Sequence, residues 1–164
     1  MKFLFFMLAV VTAASAQDTK PLSAFLGHWE SSATFYKTTM SEAKNMSAKM
    51  DCNWSPQERY LVCEQTVNDG KDTTVQLSMF TPLDGETFRF YRLAGTGEPH
   101  AGKVTISGKT WTWDDTYDNG KGGKTEVRTT NTFNGDEEIF KTEFSADGGP
   151  WTTMLEGRAH RASK

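Results

Sequence analysis

The chain is poor in the residue types from which most catalytic and metal centres are built. Its 164 residues contain 3 histidines and 2 cysteines, and the histidines, His28, His100 and His160, are far apart in sequence. There is no G-x-S-x-G segment, and no histidine lies near a candidate nucleophile, so a hydrolytic triad has no signature here. C-x-x-C spacing is also missing, which argues against a redox pair or a cysteine metal site. Positive charge is not in excess: 18 Lys and Arg are scattered among 21 Asp and Glu. A nucleic-acid binder needs a basic stripe, so the charge balance argues against DNA, RNA and anionic membrane surfaces as partners. Long apolar runs are missing too. A helix needs about 20 apolar residues to span a bilayer, and the longest run, residues 3–11, is far shorter.

That run has another reading. Lys2 supplies a positive start, the apolar stretch follows, and Ala14-Ser15-Ala16 gives the small-x-small pattern of a cleavage site. Residues 1–16 therefore read as a signal peptide, which predicts an exported protein, periplasmic or secreted. Gln17, not Cys, follows the site, so a lipid anchor is not expected. Residues 17–164 form one domain, long enough to bury a core.

Both cysteines flank Ser55-Pro56-Gln57-Glu58, which reads as a turn between alternating segments. Pairing Ser55 with Tyr60 sets Asn53 opposite Val62 and Cys52 directly opposite Cys63, a geometry that a disulfide can bridge. An oxidising compartment favours that bond, and the loop it closes is worth roughly 3 kcal/mol.

From His28 onward, short alternating runs are cut by turn formers such as Asn68-Asp69-Gly70, Gly108-Lys109 and Asn134-Gly135-Asp136. Between them, apolar residues recur with period two: Val75, Leu77, Met79; Phe88, Phe90; Val104, Ile106; Trp111, Trp113; Phe140, Phe144. The pattern predicts about ten strands joined by hairpins, an all-β antiparallel fold with one short helix over residues 21–26. Residues 37–44 fit either a loop or a helical turn. So many strands must close into a barrel or split into a sandwich.

The opening Phe25-Leu26-Gly27-His28-Trp29-Glu30 resembles the lipocalin and fatty-acid-binding (calycin) superfamily, whose barrels begin with a short helix running into Gly-x-Trp. The resemblance implies a single up-and-down barrel in which Trp29 closes one end. It also implies that Arg161, from the last strand, packs across Trp29. That strand's apolar face reads as Trp151, Leu155 and Ala159. The Phe80-Thr81-Pro82-Leu83-Asp84-Gly85 turn and the ending through Met154-Leu155-Glu156-Gly157 are most similar to a bacterial lipocalin-like domain-of-unknown-function family. The haem-binding branch has a glycine-rich first strand; Trp29-Glu30-Ser31-Ser32-Ala33-Thr34 lacks the glycines, so no cofactor is implied.

Other candidates are weaker. Asp115, Asn119, Gly120 and Glu126 match four positions of a calcium loop, but Tyr117 stands where an oxygen ligand belongs and Lys121 and Lys124 oppose a cation. His28 and His160 face outward on neighbouring strands with no third ligand evident. Glu64, Asp114 and Asp115 are acids that folding could pair. The interior is more informative. Phe35, Met50, Leu77, Phe88, Phe90, Trp113 and Phe133 are expected to face inward, together with Met79, and Arg92 continues the Phe88–Phe90 face as an interior cation. An apolar cavity with one placed charge fits a small apolar or amphiphilic molecule; the same residues also suit a filled core. The alternatives are an isomerase or cyclase using a buried acid, and a protein-binding module acting through its loops. Intact mass of the exported protein should show a chain beginning near Gln17 that alkylating reagents leave unmodified until it is reduced; labelling of either cysteine without reductant would refute the bond.

Overall fold

The computed structural model describes residues 20–95, 99–118 and 122–163; the expected signal segment 1–16 and Gln17 lie outside them. A 3₁₀ turn, Lys20–Phe25, precedes ten strands: β1 (Gly27–Phe35), β2 (Lys44–Trp54), β3 (Leu61–Asn68), β4 (Thr73–Asp84), β5 (Thr87–Leu93), β6 (Pro99–Ser107), β7 (Thr110–Asp118), β8 (Lys124–Asn134), β9 (Glu137–Ala146) and β10 (Thr152–Ala162). Each strand pairs antiparallel with its sequence neighbour, and β1 pairs with β10, so the sheet is one closed up-and-down barrel. Residues 36–43 form the loop between β1 and β2.

The hairpin of β2 and β3 has the register that its sequence specifies. Ser55 N–H donates to the Tyr60 carbonyl at 2.9 Å, Asn53 faces Val62, and Cys52 faces Cys63. The two cysteines are disulfide-bonded, with Cα atoms 4.1 Å apart.

One end of the barrel is plugged. Leu22 and Phe25 of the 3₁₀ turn are buried, and the Phe25 ring meets Trp111 at 4.6 Å and Phe133 at 4.9 Å between centroids. Trp29, Leu61, Phe80, Phe88, Val104 and Ile106 complete this apolar floor. Trp29 is locked from both sides. Its indole N–H donates to the Phe25 carbonyl at 3.0 Å, and the Arg161 guanidinium lies 4.5 Å above its ring. Arg161 also donates to the Ala24 carbonyl at 3.1 Å and to Asp136 at 2.8 Å, so one side chain ties the plug, β10 and the β8–β9 turn together.

Two glycines within strands shape the wall. Gly102 of β6 faces Phe90 and Gly157 of β10 faces Phe140. A methyl group on Gly102 would lie 2.6 Å from the Phe90 ring, and one on Gly157 would collide with Phe140. Absence of a side chain lets each ring cover the neighbouring strand's backbone at these positions.

Two expectations about facing are corrected. Leu77 and Val75 are 42% and 53% exposed, on the outside of the barrel. Phe80 takes the inward position at the floor, paired with Leu61 and Phe90, and period two then turns Ser78 and Gln76 inward and Met79, Leu77 and Val75 outward. Trp151 lies just before β10, 40% exposed, with its ring 4.6 Å from the Arg128 guanidinium. A register shift between Thr153 and Leu155 resets the alternation there. Trp29→Ala should cost about 3–5 kcal/mol, the scale for deleting a buried aromatic, as measured by equilibrium denaturation; a loss under about 1 kcal/mol would show that the plug does not depend on it.

Candidate functional site

Above the floor the barrel is hollow. A cavity of about 510 Å³ runs from Phe25 and Trp29 to an end ringed by Phe35, Met40, Met46, Val67, Tyr117, Val127 and Met154. Of the residues expected to form the site, Phe35, Met50, Phe90, Arg92 and Trp113 line this cavity. Phe88 and Phe133 face inward but belong to the buried floor beneath it. Leu77 does not reach it, for the register reason given above.

The wall is more polar than the aromatic pattern suggests. Ser31, Gln65, Gln76, Ser78, Thr129 and Thr142 all line it, and the Thr129 and Thr142 hydroxyls share a hydrogen bond at 2.9 Å. Arg92 is the one Lys or Arg among the described residues that line the cavity.

Two titratable groups stand out. Glu138 on β9 is buried at 4% exposure and accepts a hydrogen bond from the Asn131 amide on β8. Burial pushes its carboxyl up to about 7, and the Asn131 bond offsets this only in part. Nearer the mouth, β5, β6 and β7 bring four side chains together. Arg92 and His100 are directly opposed in the ladder. His100 Nε2–H donates to Asp115 Oδ2, Tyr117 O–H donates to the same oxygen at 2.9 Å, and the Thr116 backbone N–H donates to Oδ1 at 3.0 Å. The Tyr117 ring stacks on the imidazole, centroids 5.4 Å apart and planes 16° apart. Burial raises the Tyr117 hydroxyl pKa, the Asp115 bond adds to it, and Arg92 opposes the shift.

The remaining candidates are dispersed. His28 pairs with Asp51 on the outer surface, and His160 lies 4.0 Å from Glu30. Asp114 points outward to Arg128, and Glu64 lies opposite Asp51 and Leu77 on the outer face, so neither meets Asp115. Asn119, Gly120 and Lys121 of the calcium-like loop lie outside the described residues, and Asp115 is committed to His100. The sequence pattern alone does not mark His100, Tyr117, Asn131 and Glu138 as site residues, although it places several of them on inward rows. Extending the inward rows Val104–Ile106, Trp111–Trp113 and Phe140–Phe144 by one or two steps reaches His100, Asp115 and Tyr117, and Glu138.

No protein-family model and no curated protein matches the chain by sequence. Solved structures do match by shape. Rv2717c from M. tuberculosis superposes with a TM-score of 0.63 at 14% identity, covering 88% of this chain and 96% of that one. The S-type phycobiliprotein lyase CPES from Guillardia theta gives 0.60 at 12% identity, covering 88% and 92%. The chain therefore shares the closed β-barrel architecture of these two structures, a likeness of fold alone.

Glu138 sets a pH dependence. Its folded pKa, about 7, lies above the ordinary 4.5, so the folded state holds this proton more tightly than the unfolded one. The resulting stability is present below pH 4.5 and is lost as pH rises through 7, by about 3 kcal/mol in all. Glu138→Gln should remove that slope. Denaturation midpoints at pH 4.5 and 7.5 for both proteins will show it, and parallel pH profiles would contradict the assignment.

Proposed function

We propose that the chain is an exported binding protein that holds a small apolar or amphiphilic molecule in its lumen. On this reading the apolar body lies against Phe90 and Trp113, and an anionic head faces Arg92. The observation that carries it is the cavity itself: about 510 Å³, closed by aromatic rings at one end and lined with a single Lys or Arg among the described residues. Pockets for small ligands typically combine apolar walls with a few placed polar groups at this scale of volume. Asp115 also lines the cavity, and its carboxylate is held by donors from His100, Tyr117 and the Thr116 N–H. Met46, Met50 and Met154 add adaptable contacts.

The Cys52–Cys63 disulfide supports export, since such bonds persist in oxidising compartments. The motifs at both ends support placement with the bacterial lipocalin-like branch they resemble. An open lumen weakens the alternative of a module that works only through its loops.

Competition against a fluorescent amphiphile tests the proposal. A charge-assisted hydrogen bond from Arg92 is worth roughly 1.5–3 kcal/mol. Arg92→Met should therefore weaken binding of a long-chain carboxylate about ten- to a hundredfold and leave an uncharged ligand of the same shape nearly unaffected. Failure of every apolar acid to displace the probe would sink the reading.

A further inference from the structure

Where β8 and β9 approach the floor, the lumen wall carries polar groups that the binding reading leaves unused. Thr129 and Thr142, directly opposed in the ladder, satisfy each other with a hydrogen bond at 2.9 Å. The next pair down does not close in this way. Asn131 and Glu138 both line the lumen and are 8% and 4% exposed. Asn131 stands opposite Trp111, and Glu138 opposite Phe133, both rings of the floor. The Asn131 amide donates to one Glu138 carboxyl oxygen, and the other oxygen makes no hydrogen bond among the described residues. Asn131 Oδ1 is enclosed without a partner. One other side-chain atom among the described residues is in that state, Trp113 Nε1, also on the lumen wall and diagonal to Asn131 on β7. No cation holds Glu138 ionised: burial favours the neutral acid, and the Asn131 bond opposes it. A neutral carboxyl donates through its O–H, so the pair offers one donor and one unused acceptor beside an apolar cavity. A buried acceptor left unmade is costly and calls for a bound group to explain it. The terminal torsion of asparagine is soft, so the amide can turn Oδ1 toward a group beside it.

We propose that Asn131 and Glu138 form a second subsite, which takes a hydroxyl at the far end of the ligand held in the lumen. The hydroxyl oxygen accepts from the Glu138 O–H, and its proton goes to Asn131 Oδ1. A group that both donates and accepts thus uses what the pair leaves over. An alkyl end uses neither atom, and a carboxylate there would meet no cation. Arg92 stands about 13 Å along β5 from Phe88 of the floor at the usual rise per residue, so head and hydroxyl belong at opposite ends of one chain. The ligand class is a fatty acid hydroxylated at its far end. The proposal rests on the binding reading and narrows its ligand.

Competition against the fluorescent amphiphile at pH 6, where Glu138 is mostly neutral, compares decanoate with 10-hydroxydecanoate. Burying a hydroxyl without a partner weakens binding, so in a plain apolar tube decanoate wins. Here 10-hydroxydecanoate should bind about tenfold more tightly, the scale of one satisfied buried hydrogen bond. The same comparison with octanoate and dodecanoate and their terminal hydroxy acids keeps chain length from deciding the result. Asn131→Leu should reverse the order. Glu138→Gln, whose amide still offers a donor and an acceptor, should keep it. The wild-type order needs no variant and remains decisive if Asn131→Leu does not fold. Tighter binding of the parent acid at every length overturns the hydroxyl subsite and leaves lumen binding intact, with Glu138 giving its proton to Asn131 Oδ1. A preference for the hydroxy acid that survives in Asn131→Leu, or is lost in Glu138→Gln, overturns the subsite as well. Failure of every acid to displace the probe overturns both readings.

Discussion

A sheet of ten strands that pairs its first edge with its last encloses more space than its inward side chains occupy. Eight strands give an interior about wide enough for side chains to fill. Here two further strands widen the tube, and its stability has to come from one end. The aromatic floor provides it: the rings of Phe25, Trp29, Trp111 and Phe133 interlock under the Arg161 guanidinium. With the apolar contacts concentrated there, the upper wall is free to carry Ser, Gln, Thr, Glu138 and the His100–Asp115 pair. Those polar groups would be costly in a filled core.

The glycine and phenylalanine pairs act on the same balance from the side. Phe90 over Gly102 and Phe140 over Gly157 put large apolar area on the wall without projecting it across the lumen. Cross-strand pairs of this kind stabilise a ladder locally. They also explain how a chain this rich in Phe and Trp keeps an open interior.

What was legible in the sequence was mostly local. Four residues of turn between Cys52 and Cys63 fix their register, so the disulfide follows from counting. Trp29 and Arg161 are far apart along the chain, and only the resemblance of both ends to a known architecture joins them. Leu77 was misplaced because apolar residues are expected to point inward, and in β4 the opposite row holds the floor. Phe80 anchors that row, and Ser78 and Gln76 follow it into a lumen that tolerates them. Trp151 was misplaced by a one-residue register shift that alternation cannot foresee. His100 and Asp115 become partners only through the pairing of β6 with β7, so neither stands out until the inward rows are extended from their apolar members.

Closure through β1 and β10 also dictates the order in which the molecule can be assembled. The ladder joins His28 to Ala162 and Phe35 to Leu155, contacts between the two extremes of the described chain, and the guanidinium that clamps the plug arrives with the last few residues. Until then β1 is an open edge and the floor lacks its clamp. Such non-local pairings are slow to form, because a long loop must close before any contact rewards it. A chain delivered from its N-terminus, whether by a ribosome or through a pore, is therefore a curved, incomplete sheet until its final strand is released. During that interval its unpaired edges are open to other chains.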